Sequence, residues 1–244
     1  MQKPTLFQLF PHSQAMPKQA KKYGEKVALL KNEREYTLDE AIDLLTQVST
    51  TKFDGTAEVH VRLFTDPSQG DQQVRSTVSL PHGTGKDLRI AAVVPEDMAK
   101  EVKAAGAVLA GEKSVIEDIE KGKIEFDVLV AVPTLMRSLG KVAKTLGQRG
   151  LMPNPKAGTV SDNPVQAIAE LKKGRVEIRA DKQSIIHSIF GKISFGKEKL
   201  AENLRTLLQA VQDAKPSGVK GEYIRTISIA PSMGPGIRVG VSSM

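Results

Sequence analysis

Thr56, Glu58, His60 and Arg62 stand at alternate positions of one run, with Ala57, Val59, Val61 and Leu63 between them. A period of two puts the apolar set on one face of a strand and a row of hydrogen-bonding groups on the other. Arg175, Glu177 and Arg179 repeat the pattern around Val176 and Ile178, as Thr226 and Ser228 do around Ile227 and Ile229. After the last of these strands, Pro231 and the cluster Gly234-Pro235-Gly236 force a tight loop, and Ile237 and Val239 begin a second short strand. The loop offers the hydroxyl of Ser232, the flexible side chain of Met233 and the bare backbone of Gly234, where a missing Cβ lets a flat or charged partner approach. An ordinary hairpin turn would use the same residues. The expectation is that the three polar faces converge in a single sheet.

Other chemistry fails on spacing. Gly83-Thr84-Gly85-Lys86 resembles a phosphate loop, but Leu80 stands where the first glycine is needed and Asp87 where a Ser or Thr must hold magnesium. A glycine hinge is the better reading of that segment. The first strand of the central block runs into Pro95-Glu96-Asp97, which gives dinucleotide phosphates no cradle. His12, His60, His82 and His187 are far apart in sequence, with no metal-ligand partner at helical spacing, so no metal or cofactor is expected. Gly-x-Ser-x-Gly is absent, and Glu117-Asp118 sits on a solvated helix pattern. The sequence does not read as an enzyme.

The 244 residues suit one large domain or two ordinary ones. There is no cysteine, which excludes disulfides and thiolate metal sites and is compatible with a reducing setting. No apolar run approaches the ~18 residues of a membrane span, and residues 1–15 lack the apolar core of a signal peptide. Net charge is +7, which points toward a polyanionic partner. Residues 1–83 balance 10 Lys and Arg against 10 Asp and Glu, whereas residues 174–244 hold 11 against 6. Most of the excess therefore lies in the C-terminal third, alongside the Ser-Met-Gly loop, where a solvated basic surface is the plain alternative.

The elements that must position these groups follow in order. Residues 18–31 read as a basic arm or short helix. Thr37-Leu-Asp-Glu40 is a capping box that opens an amphipathic helix over 38–49. Strands over 56–63 and 74–80 follow. From Leu88 the chain alternates strand 88–94, helix 96–104, strand 107–110, helix 113–121, strand 124–132 and helix 134–146, which argues a parallel sheet covered by helices. Asp162 is placed to cap a helix over 164–173, and Leu200, Leu204, Leu207 and Val211 line the inner face of a helix over 197–214. The predicted fold class is mixed α/β. An α+β outer domain made of residues 1–83 and 173–244 is interrupted by a Rossmann-like, three-layer α/β domain at 84–172.

The Pro231-Ser-Met-Gly-Pro-Gly236 loop resembles the C-terminal signature of the L-one family of large-subunit ribosomal proteins, whose wording there is Thr-Met-Gly-Pro. Val78-Ser-Leu-Pro-His-Gly-Thr-Gly-Lys86, Leu146-Gly-Gln-Arg-Gly-Leu-Met-Pro-Asn-Pro-Lys-Ala-Gly-Thr-Val160 and Lys173-Gly-Arg-Val-Glu-Ile-Arg-Ala-Asp-Lys182 look like further signatures, as do Ile186-His187 and Gly191-Lys192. The blocks occur in the family's order over about residues 16–240. Met16-Pro17-Lys18 looks like the family start, which would make residues 1–15 either a disordered extension or a misassigned start. Ser232 replaces a Thr, Ser184 a Gly, Ile189 a Pro and Gln148 a Pro.

The resemblance implies a two-domain clamp that grips folded 23S ribosomal RNA at the mobile stalk and assists release of deacylated transfer RNA from the exit site. It implies a cytoplasmic protein, monomeric off the ribosome and in contact with other large-subunit components on it, that represses its own messenger RNA. Folded RNA presents shallow grooves, 2′-hydroxyls and phosphates, which suits carboxylates set among cations. The RNA-binding residues carried over are Lys52, Phe53, Thr56, Glu58, His60, Arg175, Glu177, Asp181, Lys182, Thr226, Ser232, Met233 and Gly234. His187 and Lys192 join them as candidates for hydrogen-bond and phosphate contacts. Phe53 reads either as a stacking platform or as core filler, and Gly83, Gly85 and Gly174 as the hinge. Two alternatives stay open: a regulatory RNA-binding protein acting off the ribosome, and a nucleotide-dependent α/β enzyme.

Overall fold

The computed structural model describes residues 21–30, 34–67, 69–219 and 221–241. The expected extension at 1–15, the start at Met16, and residues 18–20 and 31 of the basic arm lie outside them. Helix α1 is Lys21–Ala28 and α2 is Leu38–Val48, opened by the Thr37/Glu40 capping box as the sequence predicts. Strand β1, Thr56–Leu63, follows, with Ala57, Val59, Val61 and Leu63 all buried. Then come β2 (Arg75–Ser79), β3 (Ile90–Val93), α3 (Glu96–Ala104), β4 (Leu109–Ala110), α4 (Lys113–Glu120), β5 (Val128–Ala131), α5 (Ala143–Gln148) and α6 (Pro164–Lys172). The chain closes with β6 (Arg175–Arg179), β7 (Ile185–Lys192), α7 (Lys197–Asp213), β8 (Ile224–Pro231) and β9 (Ile237–Val239).

These elements make a mixed α/β fold with three sheets. Four strands pair in the order β7-β1-β8-β9, antiparallel throughout. Beneath them α2 and α7 bury Ile42, Leu45, Leu200, Leu204 and Leu207. This core takes residues from 36–80 and 178–239, and none from between. The three-stranded parallel sheet β4-β3-β5 is covered on both faces. Ile90 and Ala92 face α3 and α6, while Ala91 and Val93 face α4 and α5. Burial on both faces explains why β3 is apolar at every position.

One expectation fails here. Arg175, Glu177 and Arg179 are not in the sheet that holds β1 and β8, because β6 pairs only with β2 in a separate two-stranded sheet. A tight turn at 181–184 reverses the chain after β6, and a single bridge, Ala180 to Ile186, links it to β7. The cross-strand chemistry favours β2: Glu177 accepts from Arg75 at 2.6 Å, and Arg175 reaches Thr77 at 3.2 Å.

Smaller differences have local causes. The helix expected over 134–146 is broken into two 3₁₀ segments, Pro133–Leu135 and Ser138–Val142, followed by α5; Gly140 and Gly147 weaken a continuous helix. Asn163, not Asp162, caps α6 by accepting from the Gln166 amide at 3.3 Å. Strand β7 alternates buried and exposed residues from Ile186 to Phe190, and a bulge that skips Phe190 in the pairing with β1 ends the alternation at Gly191.

Candidate nucleic-acid interface

β1 lies between β7 and β8, so its polar row is flanked on both sides. His60 stands opposite His187 on β7 and Ser228 on β8, and Arg62 stands opposite Thr226. Thr56 is opposite Lys192, whose ammonium donates to the Thr56 hydroxyl at 3.0 Å. The His60 and His187 rings meet edge to face with their Nδ1 atoms 2.9 Å apart. Partial burial, then the facing His187, lower the His60 pKa, against a smaller opposing pull from Glu58.

Two loops meet at one end of this face. The Ser232 amide donates to the Thr56 carbonyl at 3.0 Å, its hydroxyl bonds the Glu58 carboxylate, and the Thr50 hydroxyl bonds the Met233 carbonyl. Asp54 braces the first loop by accepting from the Ser194 amide at 3.1 Å and its hydroxyl at 2.7 Å. Held this way, Phe53 is 69% exposed and Met233 59% exposed. Phe53 is therefore not core filler. A Cβ on Gly234 would sit 2.5 Å from the Pro231 ring and 3.0 Å from the Val48 carbonyl, so its bareness serves loop-to-loop packing rather than the approach of a partner.

The structure thus brings Lys52, Phe53, Thr56, Glu58, His60, His187, Lys192, Thr226, Ser232, Met233 and Gly234 to one sheet and its adjoining loops. Arg175 and Glu177 stand apart on β6, engaged with Glu170 and Arg75. They still border a cleft of about 590 Å³ whose walls include Glu58, His187 and Lys192 on one side and Lys86 and Met152 on the other. Asp181 accepts from the amides of Ile185 at 2.9 Å and Gln183 at 2.8 Å, which holds its carboxyl below the usual range. Its first task is to fix the turn that carries the exposed Lys182.

The crossings between the two regions lie against each other. Gly83 and Gly174 both have positive φ, +67° and +95°, and a Cβ on Gly174 would fall 2.3 Å from the Gly83 Cα. Gly174 admits no side chain without moving the backbone, whereas at Gly83 a Cβ would meet only ordinary contacts, the nearest at 3.6 Å, and the left-handed φ alone favours glycine. Sequence reasoning missed Asn203, wholly buried on α7, which accepts from the His82 amide at 3.1 Å and donates to the carbonyls of Gly83 at 3.0 Å and Phe190 at 2.8 Å. A polar residue within an inward helical stripe is the signal that marks it.

The family model described as ribosomal protein L1p/L10e matches residues 45–235. Among curated relatives, the large ribosomal subunit protein uL1 of Thermosipho melanesiensis is 46% identical over 230 residues, covering 94% of this chain and 99% of the relative. Its counterpart from Thermosipho africanus is 45% identical over the same coverage, and that of Kosmotoga olearia 46% identical over 224 residues, 92% and 97% of the two chains. The chain belongs to the ribosomal protein L1p/L10e family. It is not an enzyme. One family departure has a visible consequence: Ser184, standing where the resemblance sets a glycine, is the one non-glycine with positive φ among the described residues, at 59°, and its hydroxyl donates to the Thr65 carbonyl at 2.7 Å. That bond helps offset the cost of the left-handed backbone.

Proposed function

We propose that this chain is a structural constituent of the large ribosomal subunit that binds folded 23S ribosomal RNA at the mobile stalk through the β7-β1-β8-β9 sheet. The observation that carries the reading is the pair of exposed apolar side chains, Phe53 and Met233, on loops bonded to each other at the margin of a hydroxyl-, imidazole- and carboxylate-bearing face. Exposed aromatics stack on bases or pack on sugars at ~1–3 kcal/mol each, and mixed donors and acceptors suit the 2′-hydroxyl-rich surface of structured RNA. Lys182 and Lys192 supply phosphate contacts, and Arg175 and Glu177 meet RNA that reaches the cleft. In this reading residues 1–83 and 173–244 form the gripping domain, 84–172 an inserted second domain, and Gly83, Gly85 and Gly174 the hinge. Release of exit-site transfer RNA and repression of its own messenger follow from the same grip, at the ribosome in the cytoplasm.

Titration against large-subunit ribosomal RNA fragments at several salt concentrations tests the assignment. Phe53→Ala and Met233→Ala weaken specific binding by roughly tenfold with the salt slope unchanged, whereas Lys182→Ala lowers that slope by about one unit. Equal affinity of the Phe53→Ala and Met233→Ala variants with the parent refutes the interface. Co-sedimentation with large subunits at moderate salt separates a ribosomal component from a regulator acting elsewhere.

A further inference from the structure

His60 and His187 are 127 residues apart in sequence, yet the β1–β7 register sets them directly opposite with Nδ1 facing Nδ1 at 2.9 Å. The second nitrogen of each ring is turned toward a carboxylate: His187 Nε2 lies 3.5 Å from Asp181, and His60 Nε2 lies 3.9 Å from Glu58. Asp181 therefore favours the His187 tautomer with its proton on Nε2, which leaves a lone pair on Nδ1. With His187 in that tautomer, a proton on the His60 Nδ1 would bridge the gap.

We propose that His60 and His187 form a two-imidazole chelate for a divalent transition-metal ion, which replaces that shared proton. Metal–imidazole bonds of about 2.0–2.1 Å on two nitrogens 2.9 Å apart close an N–metal–N angle of about 90°. That is the cis angle of a square or tetragonal ion such as Cu²⁺ or Ni²⁺. A tetrahedral ion such as Zn²⁺ needs the nitrogens about 3.3 Å apart at those bond lengths, so the rings would have to part. The rings stand at 63° with centroids 5.0 Å apart. Both side chains are solvent-accessible, so rotation about their broad χ2 torsions turns the two lone pairs to one point.

On binding, the His60 proton moves from Nδ1 to Nε2, beside Glu58, so both rings stay neutral, both Nδ1 lone pairs are free for the metal, and no net proton is released. Both rings then present the imidazole–carboxylate arrangement that orients metal ligands. Glu58 and Arg62 flank His60 on β1, Asp181 lies beside His187, the neutral Ser228 stands opposite on β8, and Lys192, Arg175 and Glu177 line the same cleft as His187. Among the described residues no group of three or more His, Cys, Asp or Glu could hold a metal, so solvent fills the remaining positions and the ion exchanges readily. The site stands independently of the RNA reading.

The test is calorimetric titration of the tag-free full chain with CuCl₂, NiCl₂ and ZnCl₂ at about pH 7.5, above the ordinary imidazole pKa. The expected result is one Cu²⁺ per chain, bound more tightly than Ni²⁺ or Zn²⁺, with two-nitrogen hyperfine structure in the electron paramagnetic resonance spectrum. His60→Gln and His187→Gln each lose the two-nitrogen signal and at least ~10-fold in affinity, while His12→Gln and His82→Gln keep both. Copper raises the unfolding temperature of the parent but not that of the doubly substituted His60→Gln, His187→Gln chain, whose metal-free circular dichroism matches the parent. Copper uptake by that double variant equal to the parent, or no one-equivalent binding by the parent, overturns the proposal.

Discussion

Asn203 fastens the crossing near Gly83 to the sheet. Its amide meets a backbone N–H and two carbonyls from His82, Gly83 and Phe190, with no exposure of the side chain. Truncation strands three backbone groups, and a buried polar group without a partner costs roughly 1–3 kcal/mol. Asn203→Ala is therefore expected to lower stability by about 2–4 kcal/mol, read as an earlier urea midpoint with unchanged slope. A shift below about 0.5 kcal/mol would show that water takes over these bonds. Individual side chains were the least legible part of the sequence. Thr56, Glu58 and His60 were visible because alternation fixes which way a strand residue points. Phe53 was not decidable, because the Asp54–Ser194 brace that turns it outward joins residues 140 apart in sequence.

Elements with a strong local signal were legible: α2 through its capping box, β1 through its period of two, α7 through its inward leucines. Pairing was not. The polar residues of β6 look the same whether they join β1 or β2, and cross-strand bonds to Arg75 and Thr77 decide between them. Asp127 shows another tie between elements that is invisible locally. Just before β5, it accepts from the Arg89 amide at 3.2 Å, the Arg89 guanidinium at 3.1 Å and the Lys86 ammonium at 3.1 Å. The hydrogen bond from the Arg89 side chain is the largest cause that lowers its carboxyl pKa to about 2. A carboxyl depressed on folding stabilises above its unfolded value, near 4, and that contribution fades as pH falls through about 2. Since Lys86 and Arg89 are more than half exposed, solvent screening limits the contribution to about 1 kcal/mol. Asp127→Asn is expected to be less stable than the parent by about that amount at neutral pH, with the gap closing between about pH 4 and pH 2. A gap that stays constant across this range would mean the amide loses packing, not charge.

At the scale of the molecule, the core beneath the four-stranded sheet takes no residue from 84–173, and the two cores flanking the parallel sheet take none outside 88–171. Hydrophobic stabilisation therefore divides along the same lines as the chain crossings, which is the expected mark of units that fold separately. A Cβ on Gly174 would lie 2.3 Å from the Gly83 Cα, so the two Cα atoms are no more than about 3.8 Å apart, the span of one trans peptide. Chain ends this close can be joined with little loop-closure cost. A shortened chain in which one or two glycines replace residues 84–173 is expected to unfold cooperatively and to bind the ribosomal RNA fragment within a few-fold of the full chain. It keeps Phe53, Met233, Lys182 and the whole polar face, together with a C-terminal part in which 11 cations face 6 anions. It loses the far wall of the cleft, so any RNA held between the two regions would show as lost affinity in the shortened chain alone. Calorimetric unfolding and RNA titration of the same sample separate the cases. A folded chain that no longer binds moves the interface into the cleft, and a chain that fails to fold shows that the sheet depends on the region removed.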